Sequence, residues 1–206
     1  MSEHSPRAGP PMPSTASLDE ACAARVSELL AAADESPTPD ARLFARLVAA
    51  REVRGEIGLL GVTQDALDAL VQRHFRNIAR SPRILALPAT LPSSAHADFL
   101  SALAALLQTH ANPSVNEDDT RCIAAIIAHA CLRPDHLWRD LGLSGRDDVT
   151  SMLERYFPTL VIRNTANLRW KKFLARELAL ARGMEPGPAP GCPGCEDFGY
   201  CFPHGR

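Results

Sequence analysis

The spacing of apolar residues constrains the fold of this chain more than any other feature, because it follows the period of an α-helix. Leu43, Phe44, Leu47 and Val48 share one helical face, and similar faces recur along most of the sequence. Alanine and leucine, two strong helix formers, account for 58 of the 206 residues. Few segments alternate β-branched or aromatic residues with polar ones, as a strand would. The sequence therefore predicts an all-α protein.

We expect a single globular domain of seven or eight helices, separated by turn residues. Residues 1–17 are rich in proline and polar residues, which predicts a disordered leader. The helical body is expected over residues 18–183 and a short cysteine-rich tail over residues 184–206. Ser17, Asp40, Thr63, Asn116 and Ser144 are predicted to cap helices, and residues 81–95 to form an irregular connection. The predicted helices cover residues 17–33, 40–54, 63–75, 95–110, 116–130, 135–141, 144–156 and 164–183.

Composition and motifs exclude several classes of protein. The formal net charge of -2 and the pI of about 6.4 argue against a strongly basic nucleic-acid-binding protein. No apolar run reaches the ~18 residues that cross a bilayer, and the first residues lack the apolar core of a secretory signal. We therefore expect a cytoplasmic protein with no membrane or nucleic-acid partner. No phosphate-binding loop, dinucleotide fingerprint or nucleophile elbow supports a common enzyme class.

Three of the six cysteines lie within ten residues near the C-terminal end. Cys192, Cys195 and Cys201 form the pattern C-x2-C-x5-C, and Pro193 and Gly194 suit the turn that brings the first two thiols together. In a reducing compartment such a cluster indicates metal chemistry more often than disulfides. Thiolates are soft ligands that favour iron–sulfur clusters, zinc or Cu(I). The spacing therefore predicts a metal site with these three cysteines as ligands.

Spacing alone leaves the identity of the metal open. If His204 joins the three thiolates, the four ligands could close a structural zinc site. The three cysteines could instead hold three irons of a cubane cluster, with another ligand on the fourth metal. Two functional alternatives follow, a helical interaction module stapled by zinc and a simple iron–sulfur electron carrier.

Two further stretches give the cysteine motif a context. Residues 127–143 read IAHACLRPDHLWRDLGL, and residues 164–173 read NTANLRWKKF. Together with Cys192–Cys195 and Cys201-Phe202, these stretches resemble the NifQ family of nitrogen-fixation proteins over roughly residues 40–203. The resemblance implies an iron–sulfur cluster that incorporates molybdenum and supplies it for synthesis of the nitrogenase iron–molybdenum cofactor. It also implies the NifEN scaffold and NifH as partners, molybdate as a molybdenum source, and a carrier instead of an enzyme.

One position departs from the family pattern, which is C-x4-C-x2-C-x5-C. Its first cysteine would fall at Gly187, so this chain has three of the four thiolates. Three irons could take the thiolates while a harder molybdenum corner takes nitrogen, oxygen or an external ligand. Arg169, Lys171 and Lys172 either attract molybdate or an acidic partner surface, or form an ordinary solvated face. The candidates for a replacement ligand are Cys131, which lies inside the resembling stretch, and Cys122, His129, His136 and His204.

Overall fold

Every regular element of the described chain is a helix, in a computed structural model that covers residues 15–78 and 96–203. The predicted all-α class is confirmed for these residues. Thr15–Ser17 already belong to the first helix, while the rest of the predicted leader and the predicted connection at 81–95 lie outside the described residues. The helices are α1 Thr15–Ala31, α2 Pro39–Glu52, α3 Gln64–His74, α4 Ala97–Thr109, α5 Glu117–Ala130, α6 Leu137–Asp140, α7 Arg146–Tyr156, α8 Pro158–Val161, α9 Trp170–Ala181 and α10 Phe198–Cys201.

Two predicted helix caps are confirmed. The Thr63 side chain accepts from the N–H of Ala66, and the Asn116 side chain accepts from the N–H of Asp119. Each side chain satisfies a backbone donor that has no partner within its own helix.

Three other predicted caps are wrong. α2 is capped by Thr38, because Pro39 occupies the first helical position, where its missing N–H costs nothing. α7 has Gly145 as its N-cap, and Ser144 donates its backbone N–H to the Asp148 carboxylate instead. α1 begins at Thr15, so Ser17 lies inside the helix.

The start of α9 is also later than predicted. The Asn164 side chain accepts from the N–H of Leu168 at 2.8 Å and donates to the Leu168 carbonyl at 3.0 Å. Asn167 adopts φ 51°, a left-handed conformation that asparagine tolerates better than most residues. These local bonds compete with the helix, so α9 begins only at Trp170.

Helix α5 lies at the centre of the body. It packs against α3, α4, α6 and a 3-10 turn at Ile57–Leu60, and its Ile123 and Ile127 are fully buried. α1 packs on α2, and α9 packs on α4. No described helix is long and apolar enough to cross a membrane.

The segment between α5 and α6 connects this core to the start of α9. Lys171, on the first turn of α9, donates to the Arg133 carbonyl at 2.8 Å and forms an ion pair with Asp140. Both charged side chains are at least nine-tenths buried. This pairing fixes residues 131–140 beside α9, and the two together form the surface on which the tail rests.

Candidate metal centre

The cysteine-rich tail takes a more regular path than its composition predicts. Gly183 adopts φ 66°, a left-handed conformation that glycine takes readily, and the chain leaves α9 there. A 3-10 turn follows at Cys192–Gly194, and the Cys195 N–H donates to the Cys192 carbonyl at 2.9 Å. The third cysteine lies on α10. The predicted turn between the first two cysteines is therefore confirmed.

Two glycines allow the tail to approach the body closely. The Gly191 N–H donates to the Cys131 carbonyl at 3.0 Å, and a Cβ on Gly191 would lie 2.0 Å from the Arg133 carbonyl oxygen. A Cβ on Gly194 would lie 2.5 Å from Cβ of Pro134. Any side chain at Gly191 would therefore collide with backbone on the supporting segment.

Basic side chains complete this docking. We predicted that Arg169, Lys171 and Lys172 attract an anion or an acidic partner surface, or form a solvated face. The anion role stays a prediction, and the structure pairs these side chains with groups of the chain itself. Lys171 forms an ion pair with Asp140, whereas Arg169 and Lys172 contact the tail. Three contacts join cations of the body to the tail: Lys172 with the Cys201 carbonyl, Arg169 with Asp197 at 2.6 Å, and Arg139 with Glu196 at 3.0 Å.

A small cavity of about 60 Å³ lies between the tail and the body. Cys192, Cys195 and Cys201 all line it, together with His136 and Asp197. The structure therefore brings the three predicted cysteine ligands and one predicted histidine to the same place. The aromatic residues Trp138, Trp170, Phe198 and Phe202 form much of the remaining wall.

The other cysteine candidates are buried in the helical body. Cys131 is fully buried, and burial raises the pKa of its thiol to about 12. It supports the tail through its carbonyl and does not line the cavity. Cys122 is buried on α5, and burial raises the pKa of its thiol to about 11. Burial also raises the pKa of Cys192, although Cys192 does line the cavity.

The two histidine candidates within the described residues differ in position, because His129 packs against Gly61 of the body and His136 lines the cavity. The His129 Nδ1 lies 3.0 Å from the Ala125 carbonyl oxygen, and its ring fills the space where a Cβ on Gly61 would be. His136 lines the cavity, with Nε2 3.3 Å from Oε1 of Glu196. Its Nε2 also lies 3.5 Å from the Asp197 carboxylate. His204 lies outside the described residues, so its predicted role stays a prediction.

The cavity-lining thiols do not form a ready-made site for a single metal ion. Within residues 15–78 and 96–203, no three His, Cys, Asp or Glu side chains are placed to hold a single metal ion. In an iron–sulfur cluster each cysteine binds a different iron, so the thiols surround a space and need not meet at one point. Metal ligation by these residues stays a prediction.

The position of the missing family cysteine is sterically open. A Cβ built on Gly187 meets nothing within 4 Å. The residue belongs to the stretch between Met184 and Pro188, which is largely exposed. A fourth thiol at this position would therefore fit without moving the tail.

Sequence reasoning missed the residues that hold the tail in place. Glu196 and Asp197 lie between the second and third cysteines, and their charges complement those of Arg139 and Arg169. That complementarity was the available signal, but it does not identify which charges meet. The close approach at Gly191 has no sequence signature, because it depends on the distant carbonyl of Arg133.

Comparisons with known proteins agree with the resemblance read from the sequence. The sequence profile of the NifQ family matches residues 41–203. A protein NifQ homolog of Sinorhizobium fredii is 43% identical over 104 residues, which cover 50% of this chain and 44% of the relative. Protein NifQ of Azotobacter vinelandii is 44% identical over 80 residues, 39% of this chain and 41% of the relative. Protein NifQ of Rhodobacter capsulatus is 34% identical over 84 residues, 41% of this chain and 47% of the relative. The chain thus matches about half the length of these relatives, and no solved structure matches it.

Proposed function

Because this chain belongs to the NifQ family of nitrogen-fixation proteins, we propose that it carries molybdenum on an iron–sulfur cluster. It supplies that molybdenum for synthesis of the nitrogenase iron–molybdenum cofactor. One observation carries the proposal: Cys192, Cys195 and Cys201 line a single cavity where the tail docks on the body. Three thiolates around a shared space are the donor set that iron–sulfur clusters use.

His136 is the best candidate for the fourth ligand. It lines the cavity with the three cysteines, whereas Cys131 and His129 do not. An imidazole nitrogen is a harder donor than a thiolate and suits a metal other than the three thiolate-bound irons. The Glu196 and Asp197 carboxylates can accept a hydrogen bond from Nε2 of His136, which leaves Nδ1 for a metal. Such a hydrogen bond orients a metal-bound histidine.

The walls of the cavity suit an anionic, water-sensitive group. Arg146, Arg169, Lys171 and Lys172 all line it. Lys171 and Arg169 are paired with Asp140 and Asp197, so the positive charge that favours a cluster with several thiolates comes from Arg146 and Lys172. The aromatic residues limit the access of water to the same space. When bound, the cluster supplies sulfur ligands for the molybdenum cargo.

The way the tail is held suits a carrier more than an enzyme. The ion pairs Arg169–Asp197 and Arg139–Glu196 are partly exposed, and exposed pairs contribute little stability individually. A partner can therefore displace them and reach the cluster. We propose that the NifEN scaffold, acting with NifH, is this recipient, that molybdate is the source, and that transfer occurs in the cytoplasm, where thiols stay reduced.

Metal analysis after strictly anaerobic purification from molybdate-supplemented cells tests the proposal. We expect iron, sulfide and molybdenum in the wild-type protein and their loss in Cys195→Ser. Cys122→Ser is the matched control, because Cys122 is a buried thiol on α5 that does not line the tail cavity. His136→Ala should lower the ratio of molybdenum to iron.

Two results would replace the proposal with the alternatives. One zinc per chain without sulfide, even after reconstitution with iron and sulfide, would indicate a structural zinc site in an interaction module. Iron and sulfide with reversible reduction, but no uptake of molybdenum, would indicate an electron carrier.

A further inference from the structure

A second and larger cavity lies beside the segment that supports the tail. Its volume is about 670 Å³, and α1, α2 and residues 133–144 contribute its walls. Asp135 and Trp138 line both cavities, so the two sites are neighbours. The wall of this second cavity contains five arginines and three aspartates. The arginines are Arg46, Arg51, Arg54, Arg133 and Arg139.

The buried cations in and behind this wall share their carboxylate partners. Arg51 and Arg133 share the Glu56 carboxylate, at 2.7 and 3.3 Å. The second partner of Arg133 is Asp140, at 3.0 Å, and Asp140 is also the partner of Lys171. Three cations therefore share two carboxylates. Burial and the charge of Arg133 lower the pKa of Arg51, as expected where positive charges crowd.

Arg54 adds a further positive charge. Its guanidinium donates to the Ala50 carbonyl at 2.7 Å, and no carboxylate of residues 15–78 or 96–203 pairs with it. Arg46 pairs with Asp148, and Arg139 pairs with both Asp135 and Glu196. Asp19 is the remaining acidic residue of the wall, and it opposes the excess positive charge.

We infer that this cavity binds a small tetrahedral oxyanion. Guanidinium groups present N–H donors in a fixed fork that matches pairs of oxygens on such an anion. The volume lies in the range of small-ligand sites and leaves room for ordered water around the anion. Arg54 and Arg51 supply the donors, and the attraction comes mainly from Arg54, whose charge has no carboxylate partner among residues 15–78 and 96–203. The inference does not depend on the cluster, although molybdate would be the relevant oxyanion if the proposed function holds.

Calorimetric titration of the metal-free 206-residue chain tests the site. Sodium molybdate, sulfate and phosphate are titrated separately, under reducing conditions and at one ionic strength kept with chloride. We expect saturable binding of one anion per chain and roughly tenfold weaker binding in Arg54→Gln. Asp19→Asn should tighten binding, because it removes the opposing charge. Arg42→Gln is the matched control, an exposed arginine on α2 outside the cavity.

The order of affinities identifies the physiological anion. Tighter binding of molybdate assigns the site to the cargo, whereas equal binding of sulfate or phosphate makes it a general oxyanion site. The inference is overturned if none of the three anions shows saturable binding. It is also overturned if Arg54→Gln binds the anions as tightly as the Arg42→Gln control and the wild type. Cys195→Ser should lose the cluster and keep anion binding, so failure of the proposed function and failure of this site are distinguishable.

Discussion

Substituting Gly191 by alanine should weaken the docking of the tail without changing the stability of the helical body. The new Cβ would lie 2.0 Å from the Arg133 carbonyl oxygen, whereas ordinary contacts begin near 3.4 Å. One of the two backbones must therefore move by about 1.4 Å. Arg133 cannot yield easily, because its carbonyl accepts a hydrogen bond from the buried Lys171. The tail has to move instead.

The size of the effect follows from the cost of overpacking. Forcing an extra carbon into a well-packed contact costs about 1–3 kcal/mol, which shifts the docking equilibrium roughly 5- to 150-fold. We expect amide exchange at residue 191 to accelerate by that factor, because its N–H donates to the Cys131 carbonyl of the body only while the tail is docked. The thermal unfolding midpoint of the helical body should change little.

Hydrogen exchange followed by mass spectrometry measures this directly. Gly199→Ala is the matched control, since it makes the same change in the same tail where a Cβ meets nothing within 4 Å. Alanine on α10 should leave exchange unchanged or slow it slightly. Wild-type protection in Gly191→Ala, or equal loss of protection in both variants, would refute the close contact at Arg133.

Two further predictions concern the body. Lys171→Met should lower the free energy of unfolding in urea by about 3–5 kcal/mol, because Asp140 then stays buried with only Arg133 as its partner. The double variant Lys171→Met/Asp140→Leu should recover part of the loss, and a single-variant loss below about 1 kcal/mol would contradict the buried pair. Burial alone would raise the pKa of Asp40, but hydrogen bonds from Arg155 and Tyr156 hold it below its ordinary value. The stability that Asp40 contributes is therefore full above about pH 4 and lost as the pH falls through its folded pKa, so Asp40→Asn should flatten acid unfolding in that range.

The sequence predicted those parts of the fold that depend on near neighbours along the chain. Apolar spacing located the long helices, because a buried helical face repeats every three or four residues. The caps at Thr63 and Asn116 were predictable because each side chain bonds a backbone group three residues away. Thr38 caps α2 in place of Asp40 because Pro39 begins the helix, and Asp40 instead binds Arg155 and Tyr156, which are far away in sequence.

The same distinction applies to the candidate metal centre. Cys192, Cys195 and Cys201 lie close together in sequence, so their shared cavity follows from local turns. The choice among distant candidates depends on tertiary packing. His129 and His136 lie only seven residues apart, yet the first packs under Gly61 and the second lines the cavity. Their order in the chain gives no indication of this separation.

The position of the tail within the chain has a consequence for how the site matures. The surface that receives the tail consists of residues 131–140 and the start of α9, and a ribosome makes both before the first tail cysteine. Domains generally fold as units. Under the proposed function, the body can therefore fold before the tail thiols bind metal, so that metal loading and closure of the tail form one late step on a preassembled template.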